Sequence, residues 1–138
     1  MEGDMTDAER ITRAFATAIE KLRFLDAFSL LDDDGKYHVI GTTPASGVYH
    51  GPQDVFDRLV PVLGGFKEPP AVKFEEPIIQ GDRAVLLGSG TGLGPTGPYN
   101  QPYYAFVLKF ADGKLMEMIE FMDTQMLVSA VFGEAEPA

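Results

Sequence analysis

Cysteine is absent from the 138-residue chain, which excludes disulfides, thiolate metal sites and a cysteine nucleophile, and is compatible with a reducing cytosol. Histidine is nearly absent too. His38 and His50 are the two, neither with an Asp or Glu at ligand spacing, so no metal site and no cofactor are expected. No run of about 18 apolar residues is available to span a membrane, and the opening Met1-Glu2-Gly3-Asp4 lacks the basic region of a secretory signal. A soluble, cytoplasmic protein is the expectation. Basic residues are outnumbered, 11 Lys and Arg against 21 Asp and Glu, for a formal charge of −10. That leaves no basic stripe for nucleic acid and repels strongly anionic molecules at long range. Neutral, apolar small molecules fit better.

Hydrophobic residues, by contrast, make up 45% of the chain, enough for one core without metal or disulfide support. A single domain over 1–138, with its core at about 6–132, is expected. Thr6-Asp7-Ala8-Glu9 reads as a capping box, and Ile11, Phe15, Ala18, Leu22 and Leu25 follow at helical spacing. Phe24, Phe28 and Leu31 suggest a second short helix stopped by the turn signal Asp32-Asp33-Asp34-Gly35. Lys36 to Ile40 then reads as a strand. Gly41 to Gly47 is a loop, and Gly51-Pro52 opens a helix with Val55, Phe56, Leu59, Val60 and Leu63 on its apolar face, ended by Gly64-Gly65. The first few residues and Gly133 to Ala138 are expected to fray.

Long strands follow the helices. Val72 to Gln80 and Arg83 to Leu93 flank the hairpin turn Gly81-Asp82, and Tyr99 to Phe110 and Leu115 to Asp123 flank Asp112-Gly113, a pair suited to the positive φ of a two-residue turn. This order predicts an α+β fold rather than a doubly wound parallel one. Tyr99 to Phe110 would stretch roughly 40 Å at about 3.3 Å per residue, so the sheet must bend, and Pro102 and the glycines at 88, 90, 92 and 94 are where a bend is expected. On the last strand, alternation places Leu115, Glu117, Ile119, Phe121 and Asp123 on one face and Met116, Met118, Glu120 and Met122 on the other. Both faces are apolar, which calls for a helix-covered cavity on one side and a second subunit on the other. The Met-rich face suits the dimer contact.

Among residues able to carry chemistry, Asp123 is in phase with Ile119 and Phe121. If that face looks into the cavity, desolvation raises its pKa toward the range of a neutral general acid or base. The alternative is that Asp123-Thr124 caps a final helix carrying Met126, Leu127, Ala130 and Val131. His38 is either a second site residue or a satisfied strand residue. Tyr49, Tyr99, Tyr103 and Tyr104 each offer a phenol that could hold an enolate oxygen. Asn100 and Gln101 could orient a ligand or serve turn chemistry. Gly88 to Gly94 fits no phosphate-binding motif; its alternating glycines leave a bare stripe that a helix or ligand can approach. Asp123 and His38 are the expected catalytic pair, with Tyr49, Tyr104, Phe15, Phe56, Phe121 and Ser89 expected around the ligand.

The element order, the segment from Tyr37 to Val55 (YHVIGTTPASGVYHGPQDV) and the ending from Asp112-Gly113-Lys114 through Glu120-Phe121-Met122-Asp123-Thr124 resemble the SnoaL-like branch of the nuclear transport factor 2-like, or ketosteroid isomerase-like, superfamily. The resemblance runs from about Thr6 to Phe132. It implies a cone-shaped, curved antiparallel sheet wrapped on N-terminal helices, enclosing an apolar pocket and dimerising through the outer sheet face. It also implies a pocket carboxylate on the last strand, matched here by Asp123, and a pocket-mouth position matched by His38. Epoxide hydrolases of this group carry Arg-x-Asp where Leu87-Gly88-Ser89 stand, which disfavours that reaction. The base, Tyr and protonated acid of the steroid isomerases do not map onto this chain. The expected role is a small-molecule pocket protein, enzymatic if it performs cofactor-free isomerisation or cyclisation of an apolar carbonyl compound. The alternatives are a non-catalytic binder of an apolar ligand and a dimerisation module.

Overall fold

The computed structural model describes residues 5–133; the expected fraying falls outside them apart from Met5 and Gly133. Helix α1, Asp7–Glu20, starts where the Thr6 hydroxyl accepts from the Glu9 N–H at 3.1 Å. It buries Ile11, Phe15, Ala18 and Ile19. Leu22 and Leu25, expected on the same stripe, lie past its end, where Leu22 turns to a φ of 60°, and both are exposed. Helix α2 is Phe24–Phe28. Strand β1, Leu31–Val39, then takes in the acidic segment expected to be a turn. Asp32 to Gly35 form an irregularity inside the strand, with the Asp34 N–H donating to Asp32 Oδ2 at 3.0 Å.

Strand β2, Gly47–His50, leads into α3, Gly51–Arg58, and α4, Val60–Gly64. One helix was expected from Gly51 to Leu63. Pro61 lacks the N–H that would continue the hydrogen-bond ladder, and the helix breaks just before it. The expected strand from Val72 to Gln80 is likewise two, β3, Glu68–Phe74, and β4, Ile78–Gln80, separated around Pro77. The long strands are β5, Arg83–Gly94, β6, Gly97–Ala111, and β7, Lys114–Phe121. Asp112 and Gly113 both have positive φ at the β6–β7 turn. Helix α5, Thr124–Leu127, widens into a π-type turn over Val128–Phe132.

The seven strands form one curved, unclosed sheet in the order β2-β1-β7-β6-β5-β3, with β4 also on β5. All neighbours are antiparallel except β1 and β7, a parallel pair that alternation along single strands does not reveal. Helix α1 packs across β3, β5 and β7, and α3 packs on β1. The register of β5 on β6 is irregular between Gly88 and Gly90, opposite Pro102 and Tyr103, at the expected bend.

A second irregularity decides the site. Between β6 and β7 the pairing passes from Phe110↔Leu115 to Lys109↔Glu117, leaving one extra residue on β7. A one-residue slip moves every later side chain to the opposite face. Met118, Glu120 and Met122 therefore join Leu115 on the inner side, and Glu117, Ile119 and Phe121 face out. Met118 is fully buried, so the Met-rich face is core rather than the expected dimer contact.

The bare glycine stripe is approached mainly by β3, against Gly88, Gly90 and Gly92, and at Gly94 by the C-terminal helical turn. A Cβ on Gly94 would lie 2.2 Å from the Ala130 carbonyl oxygen, the same oxygen that accepts from the Thr96 N–H at 3.0 Å. Gly94→Ala is expected to push the C-terminal turn off the β5–β6 hairpin and cost about 2 to 3 kcal/mol, read as a lower urea midpoint. An unchanged midpoint would mean that this docking does not contribute to stability.

Candidate functional site

Bending the sheet over α2 and α4 leaves a cavity of about 70 Å³, lined by Phe28, Tyr37, Phe66, Tyr99, Tyr104, Glu120 and aliphatic neighbours. By the space a single water needs, that is room for roughly five water-sized groups. No Lys, Arg or His is among the described residues that line it. Its one carboxyl is Glu120, paired across the sheet with Val39 of β1 and Phe106 of β6.

Among the described residues, Glu120 is the carboxyl held above its ordinary pKa. Removal from water disfavours its charged form and pushes its pKa up to about 7, partly offset by a hydrogen bond from the Tyr37 hydroxyl. Tyr37 is fully buried. Its own burial, and next the nearby Glu120 charge, raise the phenol well above its usual pKa, so Tyr37 stays a donor. A carboxyl that is half ionised near neutrality can both accept and return a proton.

The second polar group is a pair of phenols. Tyr99 and Tyr104 place their hydroxyls 2.7 Å apart, and burial pushes the Tyr99 pKa up to about 12. Tyr104 is likewise raised, by burial and by its neighbours Tyr99 and Glu120. Gln101, fully buried, joins them to the end of β7: its Nε2 donates to Tyr99 Oη at 3.2 Å and to the Asp123 carbonyl at 2.8 Å.

Of the residues expected at the site, Tyr104 lines the cavity. Asp123 does not. It is exposed, and its Oδ1 accepts from the N–H groups of Gln125 at 3.0 Å and Met126 at 3.3 Å. This is the capping alternative, reached because β7 ends at Phe121 and its parity was inverted upstream. His38 faces outward, with Nε2 2.7 Å from Glu117 Oε2, and Glu117 also meets Lys109 at 3.3 Å. Burial opposes ionisation of Glu117, but the hydrogen bonds from Lys109 and His38 prevail and hold it below the usual range.

Tyr49 is buried beside the cavity but commits its hydroxyl to the Ala45 carbonyl, while the Arg58 guanidinium sits 4.2 Å from its ring centre. Phe15 stands one layer behind the wall, edge-on to Phe28 and Phe106 at 6.2 and 5.4 Å. Phe56 packs on the core without reaching the cavity. Ser89 and Phe121 are exposed and, with Asp123, border an open groove on the outer sheet face. Glu120 and Tyr37 line the cavity and were not among the residues expected there. The available signal was an acid flanked at i−2 and i+2 by Met118 and Met122, in pairing range of the alternating Tyr104, Phe106, Leu108 and Phe110.

This architecture is the NTF2-like, ketosteroid isomerase-like fold. An NTF2-like protein of unknown function from Burkholderia pseudomallei superposes with a TM-score of 0.79 at 18% identity, covering 92% of this chain and 98% of the other. A protein of ketosteroid isomerase-like fold from Catenulispora acidiphila, solved with trimethylamine, gives 0.70 at 15%, covering 92% and 97%. A candidate SnoaL-like polyketide cyclase from Jannaschia sp. gives 0.69 at 15%, covering 96% and 99%. No protein-family model matches the sequence. No curated protein is similar to it in sequence. No helix among the described residues is long and apolar enough to cross a membrane.

Proposed function

We propose that the inner cavity binds a compact, neutral carbonyl compound and that Glu120 moves a proton on it without a cofactor. The observation that carries this reading is the placement of a single carboxyl, Glu120, hydrogen-bonded by Tyr37, on the wall of a cavity whose other lining residues are aliphatic or aromatic. As the carboxylate, Glu120 would take a proton from the carbon beside the carbonyl, while the Tyr104 hydroxyl donates a hydrogen bond to the oxygen as it becomes an enolate. Returning the same proton at a conjugated carbon completes an isomerisation; attack of the enolate carbon on a second carbonyl of the same molecule completes a cyclisation, with the proton delivered to the new alkoxide. The cavity volume and the lack of a lining cation favour small neutral molecules over polycyclic or anionic ones.

The scarcity of polar groups on the wall supports a second reading, a protein that retains such a molecule without converting it. Incubation with a panel of small enolisable ketones, followed for both binding and product, separates the two. New isomers support catalysis, retention without conversion supports the binder, and the absence of both removes the cavity from consideration.

A homodimer accompanies this reading, formed through the outer sheet face rather than the methionines. Val85, Leu87, Val107, Ile119 and Phe121 line that face, with Leu87 and Phe121 left 37% and 39% exposed. Sedimentation at micromolar concentration is expected to show a particle of twice the 15.0 kDa chain mass. A monomer under those conditions would rule the dimer out.

A further inference from the structure

We infer that Gln101 sets the direction of a hydrogen-bond relay ending with the Tyr104 hydroxyl hydrogen presented to the cavity, so that the site selects molecules with an acceptor oxygen. The inference rests on the cavity being a ligand site and adds the polarity of its wall. Both ends of the buried Gln101 amide are committed. Oε1 accepts from the Asp123 N–H at 2.9 Å and Nε2 donates to the Asp123 carbonyl at 2.8 Å, and these two backbone partners, one donor and one acceptor, decide which end is nitrogen. The remaining amide hydrogen goes to Tyr99 Oη at 3.2 Å.

Tyr99 therefore accepts, and its own hydrogen has two outlets, Tyr104 Oη at 2.7 Å and Met122 Sδ at 3.9 Å. A thioether is a weak acceptor, and accepting from Gln101 strengthens Tyr99 as a donor along the chain. Tyr99 donates to Tyr104. The Tyr104 hydrogen then has no acceptor among the described residues, and a ligand oxygen in the cavity supplies one. Gln101 touches no ligand in this arrangement; it is a positioning residue that acts through two phenols.

The test uses cyclopentanone and its oxygen-free isostere methylenecyclopentane at pH 8.5, where Glu120 is ionised and cannot itself donate. In the wild type the bound ketone is expected to show a carbonyl stretch lowered by hydrogen bonding. Tyr104→Phe should abolish that shift and weaken ketone binding by about two- to tenfold, the range of one neutral hydrogen bond, with the alkene unaffected. Gln101→Glu offers Tyr99 no hydrogen when ionised, and when neutral keeps a single O–H for which the nearer Asp123 carbonyl competes, and should do the same. Tyr99→Phe, the milder variant if burying a glutamate prevents folding, should reduce the shift. A bound ketone whose shift survives in Gln101→Glu or is unchanged in Tyr99→Phe would overturn the relay and leave the cavity reading intact. So would a ketone bound to the wild type with no shift. Failure of both probes to bind would instead remove the cavity as a ligand site, and the relay with it.

Discussion

Replacing Glu120 with Gln is expected to lower turnover of a converted ketone by about 10²- to 10⁴-fold, the usual contribution of a positioned proton carrier. The glutamine keeps the shape and can accept from Tyr37, but it cannot take up or return a proton. The wild-type rate should rise with pH through about 7 as the carboxylate forms, and that limb should vanish in Glu120→Gln. Asp123→Asn is the matched control: it retains a capping oxygen for Gln125 and Met126 and should change the rate by less than about threefold, since this side chain is not part of the cavity wall. Loss of activity in Asp123→Asn with retention in Glu120→Gln would reverse the assignment.

The same carboxyl makes stability depend on pH in the sense opposite to a salt-bridged acid. Its pKa is 4.5 when unperturbed and about 7 in the fold, so between these values the native state holds the proton more tightly than the unfolded chain. Stability from this group is then greatest below about 4.5, declines as pH rises toward 7, and stays reduced above that. The difference of about 2.5 units corresponds to at most about 3 kcal/mol. Glu120→Gln removes the ionisation and should be more stable than wild type by about 2 to 3 kcal/mol at pH 8, but nearly equal to it at pH 4. Urea denaturation of both proteins across that range reads the difference and cancels the effect of the overall charge of −10. A constant gap, or one that widens toward acid, would show that Glu120 is not destabilised as an anion.

Much of the fold was legible because its signals are local. Thr6 with Glu9, Asp112-Gly113 and Gly81-Asp82 each specify a backbone geometry within four residues, and the structure has the cap and both hairpins there. Pro61 is an equally local signal, and the helix divides into α3 and α4 beside it. The site was less legible, because a single residue inserted near Met116 exchanges the faces of β7. No residue in Lys114–Phe121 demands that irregularity; it lies where the pairing of β7 with β1 is also irregular, beside the acidic segment of β1. Period-two reading from the turn placed Asp123 inside and Glu120 outside, and the slip inverted both. The alternation of Tyr104, Phe106, Leu108 and Phe110 on β6, taken as the reference instead of the turn, identifies the inner face directly.

The most direct measurement is a ¹³C titration of the Glu120 side-chain carboxyl, assigned by the loss of its resonance in Glu120→Gln. A midpoint close to 7 is expected for an acid on an apolar cavity wall, hydrogen-bonded by the buried Tyr37. A midpoint near 4.5, that of a glutamate in water, would mean the carboxyl is solvated, and no group in the cavity would be left to move a proton.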